Sequence, residues 1–133
     1  MILIKCLIKW IVKNSKIDEL KINNTINNKE LKYGNGRYVG QVVNLKEGNG
    51  IYYYNNGERY EGDWKNDLKE GKGIYYYNDG DRYEGDYKDS KKEGKGIYYF
   101  NDGDRSMGDY SNDKPIGKHV TLTRDGIVKE IIY

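Results

Sequence analysis

The sequence predicts an all-β fold made of stacked β-hairpins, and three observations predict it. Short blocks recur at a constant offset of 23 residues, Gly and Tyr alternate inside each block, and a polar, glycine-bearing turn follows each alternating run. The chain has 133 residues, enough for one domain. It holds 15 Tyr and 17 Gly against one Pro, so the repeated part must build a thin core from tyrosine.

Residues 1–30 stand apart from this pattern. Ile2, Leu3, Ile4, Cys6, Leu7, Ile8, Trp10, Ile11 and Val12 crowd the start, with lysines at positions 5, 9, 13 and 16. Those spacings place the lysines on one helical face and predict a short amphipathic helix. The abundance of β-branched residues leaves a strand open. Ser15-Lys16-Ile17-Asp18 has the form of a helix start, and Asn23–Asn28 reads as a linker. Three roles fit. The segment caps the open end of the array, or it is a partner-binding helix, the remaining possibility being a wrongly chosen start. Alternatively it anchors at a membrane surface, with Trp10 at the interface and Lys5, Lys9 and Lys13 at anionic head groups. The apolar run is too short to span a bilayer and lacks a small-residue cleavage site.

The repeats follow in order. A half unit at residues 31–37 carries Tyr33-Gly34-Asn35-Gly36-Arg37, whose spacing predicts a two-residue Asn35-Gly36 turn. Residues 38–59 carry Tyr38, Gly40, Gly48, Gly50, Tyr52 and Gly57, one residue short of the full period. Residues 60–82 carry Tyr60, Gly62, Trp64, Gly71, Gly73, Tyr75 and Gly80. Residues 83–105 repeat them as Tyr83, Gly85, Tyr87, Gly94, Gly96, Tyr98 and Gly103. Residues 106–128 are a degenerate copy, and 129–133 form a tail. Alternation puts Tyr60, Gly62 and Trp64 on one face, and likewise Gly71, Gly73, Tyr75 and Tyr77. Tyr77 and Tyr83 share that face only across an odd loop, which predicts three residues with Gly80 left-handed. Glycine between the aromatic positions leaves bare backbone for a neighbouring ring to cover.

Tyr-x-Gly-x-(Trp/Tyr), a polar connection, Gly-x-Gly and a Gly-bearing turn resemble the MORN repeat. The resemblance covers about three quarters of the chain. It implies an elongated, twisted antiparallel β-meander rather than a closed barrel. It also implies a scaffold, dimerisation unit or membrane-proximal adaptor.

No catalytic, metal-binding or cofactor-binding set emerges from the sequence. The single histidine, His119, has no partner placed by spacing and is expected as an exposed strand residue. Asn78-Asp79-Gly80-Asp81 and Asn101-Asp102-Gly103-Asp104 read as hairpin turns rather than calcium loops. Lys65, Lys69, Lys72, Lys88, Lys91, Lys92 and Lys95 are expected in the loops joining repeats, giving one basic edge. Asp79, Asp81, Asp102 and Asp104 would make the other edge acidic. On the second face, Ile51/Tyr53, Ile74/Tyr76 and Ile97/Tyr99 fall in phase. They form a candidate interface, rimmed by Glu61/Asp63 and Glu84/Asp86, for a protein partner or a second copy. The basic excess lies ahead of the repeats: residues 1–37 hold eight Lys+Arg against three Asp+Glu, the rest 15 against 18. A nucleic-acid partner is therefore not indicated. The lone Cys6 permits no internal disulfide and favours a reducing, cytoplasmic setting, peripheral to a membrane if the N-terminal segment anchors. The function expected is a non-enzymatic scaffold or adaptor for protein–protein or membrane-surface association. The alternative is a regulatory or targeting module beside a separate enzyme.

Overall fold

In a computed structural model describing residues 27–133, the chain forms one open antiparallel sheet of ten strands in sequence order. They are β1 (Asn27–Tyr33), β2 (Gly36–Val43), β3 (Leu45–Tyr54), β4 (Arg59–Lys65), β5 (Leu68–Tyr76), β6 (Arg82–Lys88), β7 (Lys91–Tyr99), β8 (Arg105–Ser111), β9 (Lys114–Leu122) and β10 (Val128–Ile132). Among the described residues there is no helix. The N-terminal segment expected to be helical, with Lys5, Lys9, Trp10 and Lys13, lies outside them.

From β3 onward, two kinds of turn alternate along the sheet. At one edge the loops are three residues long, as the tyrosine spacing demands. Tyr77 N–H donates to Asp81 O at 3.0 Å and Gly80 N–H to Tyr77 O at 3.3 Å. Gly80 sits at φ +95°, where a Cβ would be strained. At the opposite edge the turns are two-residue pairs, Asn66-Asp67, Asp89-Ser90 and Asn112-Asp113, with φ positive at both positions. That is the geometry that matches the twist of flanking strands, and Asn and Asp tolerate it best among side-chain-bearing residues. The first hairpin also turns in two residues, but at Gly34-Asn35, one position before the expected pair, with Tyr33 opposite Gly36. Face parity survives the shift, because Leu31 rather than Tyr33 now stands opposite Tyr38.

One face is aromatic. Register aligns Tyr38, Tyr52, Tyr60, Tyr75, Tyr83 and Tyr98 in a single row across β2 to β7. Beside it runs a row of glycines from Gly40 to Gly108. The Tyr60 ring lies over this row so closely that a Cβ on Gly73 would meet it at 2.3–2.5 Å. Tyr38, Tyr60 and Tyr83 are fully buried, and their hydroxyls donate to the backbone carbonyls of Gln41, Asp63 and Asp86. Tyr75 is only partly buried, with its hydroxyl on Glu58 Oε2 at 2.7 Å. Trp64, Tyr87 and Tyr110 pack edge-on between these rings at 5.0–5.5 Å between centres.

The eroded last repeat keeps this packing by an exchange of sizes. Ser106 replaces the buried tyrosine, and His119 stands where earlier repeats have Gly50, Gly73 and Gly96. The imidazole fills the vacated space over Gly108, where a Cβ would meet it at 2.2–2.5 Å. It is 1 % exposed, so the expectation of a solvated histidine is overturned. Its Nε2 lies 2.8 Å from Asp109 O, which fixes Nε2 as the donor, and Tyr110 and Tyr133 stack on it edge-on. The terminal segment read as a tail is strand β10, paired along its length with β9.

The expected basic edge is also corrected. Lys65, Lys69, Lys72, Lys88, Lys91, Lys92 and Lys95 all lie in strands rather than loops. Lys46, Lys69 and Lys92, one per repeat, turn into the aromatic face. Lys46 is 8 % exposed, its Nζ 4.8 Å from the ring centres of both Tyr33 and Trp64. Lys69 Nζ is 4.8 Å from Tyr75 and 5.4 Å from Tyr60 and Tyr87. Lys92 Nζ is 5.0 Å from Tyr83. Ring faces stabilise an ammonium that has lost its water. A bulge makes room for each lysine: Gly71, at φ +67°, lets Lys69 pair with Trp64 while Gly73 still pairs with Gly62.

Candidate functional site

The face opposite the aromatic layer is built from three rows of side chains, each crossing the sheet. The central row runs Glu30, Val39, Ile51, Glu61, Ile74, Glu84, Ile97, Met107, Val120, Glu130, one residue from every strand. On one side of it, tyrosines and arginines alternate. Arg37 stacks on Tyr53, Arg59 on Tyr76 and Arg82 on Tyr99, with guanidinium carbons 3.9–4.2 Å from the ring centres. On the other side, lysines face aspartates of the next strand: Lys72 bonds Asp86, and Lys95 Nζ is 3.0 Å from Asp109 Oδ1.

Between the central row and the Lys/Asp row only glycine backbone lies beneath, because the Cα atoms of Gly62, Gly73, Gly85, Gly96 and Gly108 direct their missing side chains to the aromatic face. The result is a trough of about 960 Å³ running from Glu61 on β4 to Val120 on β9. Ile74, Ile97, Met107 and Val120 form its apolar wall. A smaller hollow of about 440 Å³ shares Glu61 and Gly62 with it and reaches Asn28, Val39 and Ile51. The glycines that seat the tyrosines on one face thus open a channel on the other.

The candidate interface residues fall on this face, in two rows rather than one strip. Ile51, Ile74 and Ile97 line the trough system, while Tyr53, Tyr76 and Tyr99 lie under arginines. Glu61 and Glu84 stand between the isoleucines instead of rimming them, since each occupies the strand paired with two Ile-bearing neighbours. Arg59 Nε holds Glu61 Oε1 at 2.8 Å, and Arg82 approaches Glu84 at 3.9 Å. Met107 and Val120 extend the wall into the degenerate repeat, where the sequence reading did not follow it. The signal was available: at an offset of 23, Met107 matches Glu84, and Val120 matches Ile97.

The carboxylates of the turns are engaged within the sheet. Asp81 accepts from Tyr98 Oη at 2.8 Å and from Asn101 N–H at 2.8 Å, and Asp104 accepts from Arg124 N–H at 2.9 Å. Among the described residues no cluster of His, Cys, Asp and Glu has the arrangement of a metal site. Among them too, no helix is long and apolar enough to cross a membrane.

A meander of in-phase hairpins, self-packed on one face and channelled on the other, is a β-hairpin repeat array, the architecture of scaffold and binding modules rather than of a closed pocket. The MORN repeat model matches residues 38–59, 60–82 and 83–105, just over half of the chain, and the chain belongs to that family. A comparison with curated proteins returned no match.

Proposed function

We propose that the chain is a non-catalytic scaffold or adaptor that takes up an apolar, basic polypeptide segment in the trough of its open face. The observation that carries this reading is the central row itself. Glu61 and Glu84 alternate with Ile74 and Ile97, and Met107 and Val120 continue the row, above a bare glycine floor. Glu61 and Glu84 lie two strands apart, or about 10 Å. That row suits lysines or arginines about two helical turns apart, on a segment whose apolar face enters the channel.

A fluorescein-labelled amphipathic Leu/Lys helix, with a Leu/Glu helix of equal length as control, tests the reading by anisotropy on the full chain. The Leu/Lys peptide is expected to bind. Glu61→Lys/Glu84→Lys and Ile74→Lys/Ile97→Lys should each weaken it at least tenfold while thermal unfolding stays cooperative. Equal binding of the two peptides, or indifference to both double substitutions, would overturn the assignment of this face.

A further inference from the structure

We infer that the occupant that docks in the trough is the chain's own segment Ile2–Lys13, with which a partner segment competes; this rests on the trough being a segment-binding site.

Four observations converge. The first is where the chain enters the sheet. Asn28, near the start of β1, lines the small hollow that shares Glu61 and Gly62 with the trough, so the chain enters the sheet beside it. The second is reach. From β1 to the middle of the trough between β6 and β7 is five to six strand steps, about 24–29 Å. The 13 residues from Asn14 to Ile26 can span up to about 45 Å when extended.

The third is size. The trough crosses five strand steps, about 24 Å. Twelve residues in helical form cover about 18 Å and fit within it, whereas the same residues extended cover about 40 Å and overrun it. The fourth is chemistry. The leading segment concentrates Ile2, Leu3, Ile4, Leu7, Ile8, Ile11 and Val12 with Lys5, Lys9 and Lys13, in a chain whose repeats are otherwise poor in Leu, Ile and Val. Its apolar residues match the Ile74, Ile97, Met107 and Val120 wall. Its lysines can extend their stems along that wall toward Glu84, which Arg82 approaches only to 3.9 Å. The segment ahead of the sheet is the basic part: residues 1–26 hold five Lys against Asp18 and Glu19, whereas residues 27–133 hold 18 Lys+Arg against 19 Asp+Glu.

Trp10 reports on this directly. Its emission is isolated as the difference between wild type and Trp10→Phe, both full length, so that Trp64 stays in place in the core. Without lipid or peptide, Trp10 is expected to emit blue-shifted and to be shielded from acrylamide. Ile74→Lys/Ile97→Lys should return it to the emission and quenching of a solvated indole. Lys5→Glu/Lys9→Glu/Lys13→Glu should also release it, and should tighten binding of the labelled Leu/Lys helix several-fold by removing its competitor. A Trp10 signal that is water-like from the start, or insensitive to the trough substitutions, overturns self-occupancy. So does a blue shift that appears only on adding vesicles of anionic phosphatidylserine, since that marks a membrane anchor. If the triple Glu variant and the wild type bind the Leu/Lys helix equally, self-occupancy fails while the binding module stands. If neither binds it, the module reading itself fails.

Discussion

At the residue scale, the core depends on how each ring's polar end is handled. Trp64 Nε1 donates to Gly50 O at 3.1 Å, but Tyr87, the same position one repeat on, buries its hydroxyl with no partner. An unpartnered buried hydroxyl costs about 1–3 kcal/mol. Tyr87→Phe should therefore be neutral or stabilise by about 1 kcal/mol in urea unfolding. Tyr87→Trp should do at least as well, by donating to Gly73 O as Trp64 does to Gly50 O. Burial also sets the alkaline limit of the fold. It pushes the phenols of Tyr38 and Tyr77 up to about 12, and those of Tyr60 and Tyr83 further in the same direction. Unfolded tyrosine ionises near pH 10. The fold prefers the protonated form, so this stabilisation is complete below about pH 10 and is lost as pH rises through about 12. Burial acts oppositely on Lys69 and Lys92, pushing both down. Their charged forms weigh against folding at neutral pH, and that cost fades as pH approaches the ordinary lysine value near 10.4. Stability should thus hold to about pH 10 and fall steeply above about pH 11, with tyrosinate absorbance rising together with loss of the β-sheet circular dichroism signal. Ionisation well before unfolding would mean that the tyrosine row is more hydrated than its geometry indicates. The tyrosine face was legible from period-two alternation, but the lysines beneath it were not read. Lys69 shares the parity of Gly71, Gly73 and Tyr75, and Lys-Glu-Gly recurs at 46–48, 69–71 and 92–94. Charge alone would assign Lys69 and Lys92 to loops, and the desolvation of an ammonium by three or four rings is a tertiary effect that no local pattern contains.

At the element scale, each hairpin is fastened to the one before it through the backbone of its turn. Asp67 N–H donates to Lys46 O, Lys46 N–H to Asp67 Oδ1, and Asn66 N–H to Glu47 Oε1. The same three bonds join Asp89-Ser90 to Lys69 and Glu70, and Asn112-Asp113 to Lys92 and Glu93. The charges at this edge are therefore inter-repeat connectors rather than a basic strip. Spacing alone does not separate the observed Gly34-Asn35 turn from Asn35-Gly36, because both suit a two-residue loop and both keep ring parity. Only the pairing of Leu31 with Tyr38 decides between them. The degenerate hairpin makes the sharpest claim at this scale. Tyr38/Gly50, Tyr60/Gly73 and Tyr83/Gly96 are large–small pairs, and Ser106/His119 is the same pair with sizes exchanged. Ser106→Tyr alone should cost about 1–3 kcal/mol by overpacking the space His119 fills. His119→Gly alone should cost about 3 kcal/mol by opening a cavity over Gly108 and exposing Tyr133. The double substitution rebuilds the standard pair, so it should be less destabilised than the two losses combined, with a coupling on the order of 2 kcal/mol. Additive losses in urea titrations of the four proteins would sever the link between the two positions.

At the scale of the whole molecule, every strand bonds only its sequence neighbours, so the fold is close to one-dimensional. Its stability is then a sum of hairpins and the interfaces between them, and its length should be adjustable in whole repeats. Deleting residues 60–82 joins Arg59 to Tyr83. Arg82 precedes Tyr83 in the native chain, so the junction reproduces a native Arg-Tyr step. Tyr52 would then meet Tyr83 and Tyr87 as it now meets Tyr60 and Trp64, and Tyr54 would meet Tyr98 as it now meets Tyr75. The trough would lose Glu61, Lys72 and Ile74 but keep Ile97, Met107 and Val120. This shortened chain should fold cooperatively. Its urea m-value should fall by about a fifth, the share of described residues removed, because m follows the surface exposed on unfolding. Deleting residues 60–81 instead removes one residue fewer and leaves Arg82 as an extra strand position. Every residue beyond the junction would then change face, putting Tyr83 and Tyr87 into solvent and Glu84 against the aromatic layer. That chain should lose its cooperative transition unless a bulge absorbs the extra residue, which would show as restored cooperativity at a cost in midpoint. If both deletions unfolded alike, the repeats would not be the units of stability. The phase of glycine and tyrosine would then be a product of duplication alone, rather than the condition under which each new hairpin finds its place on the last.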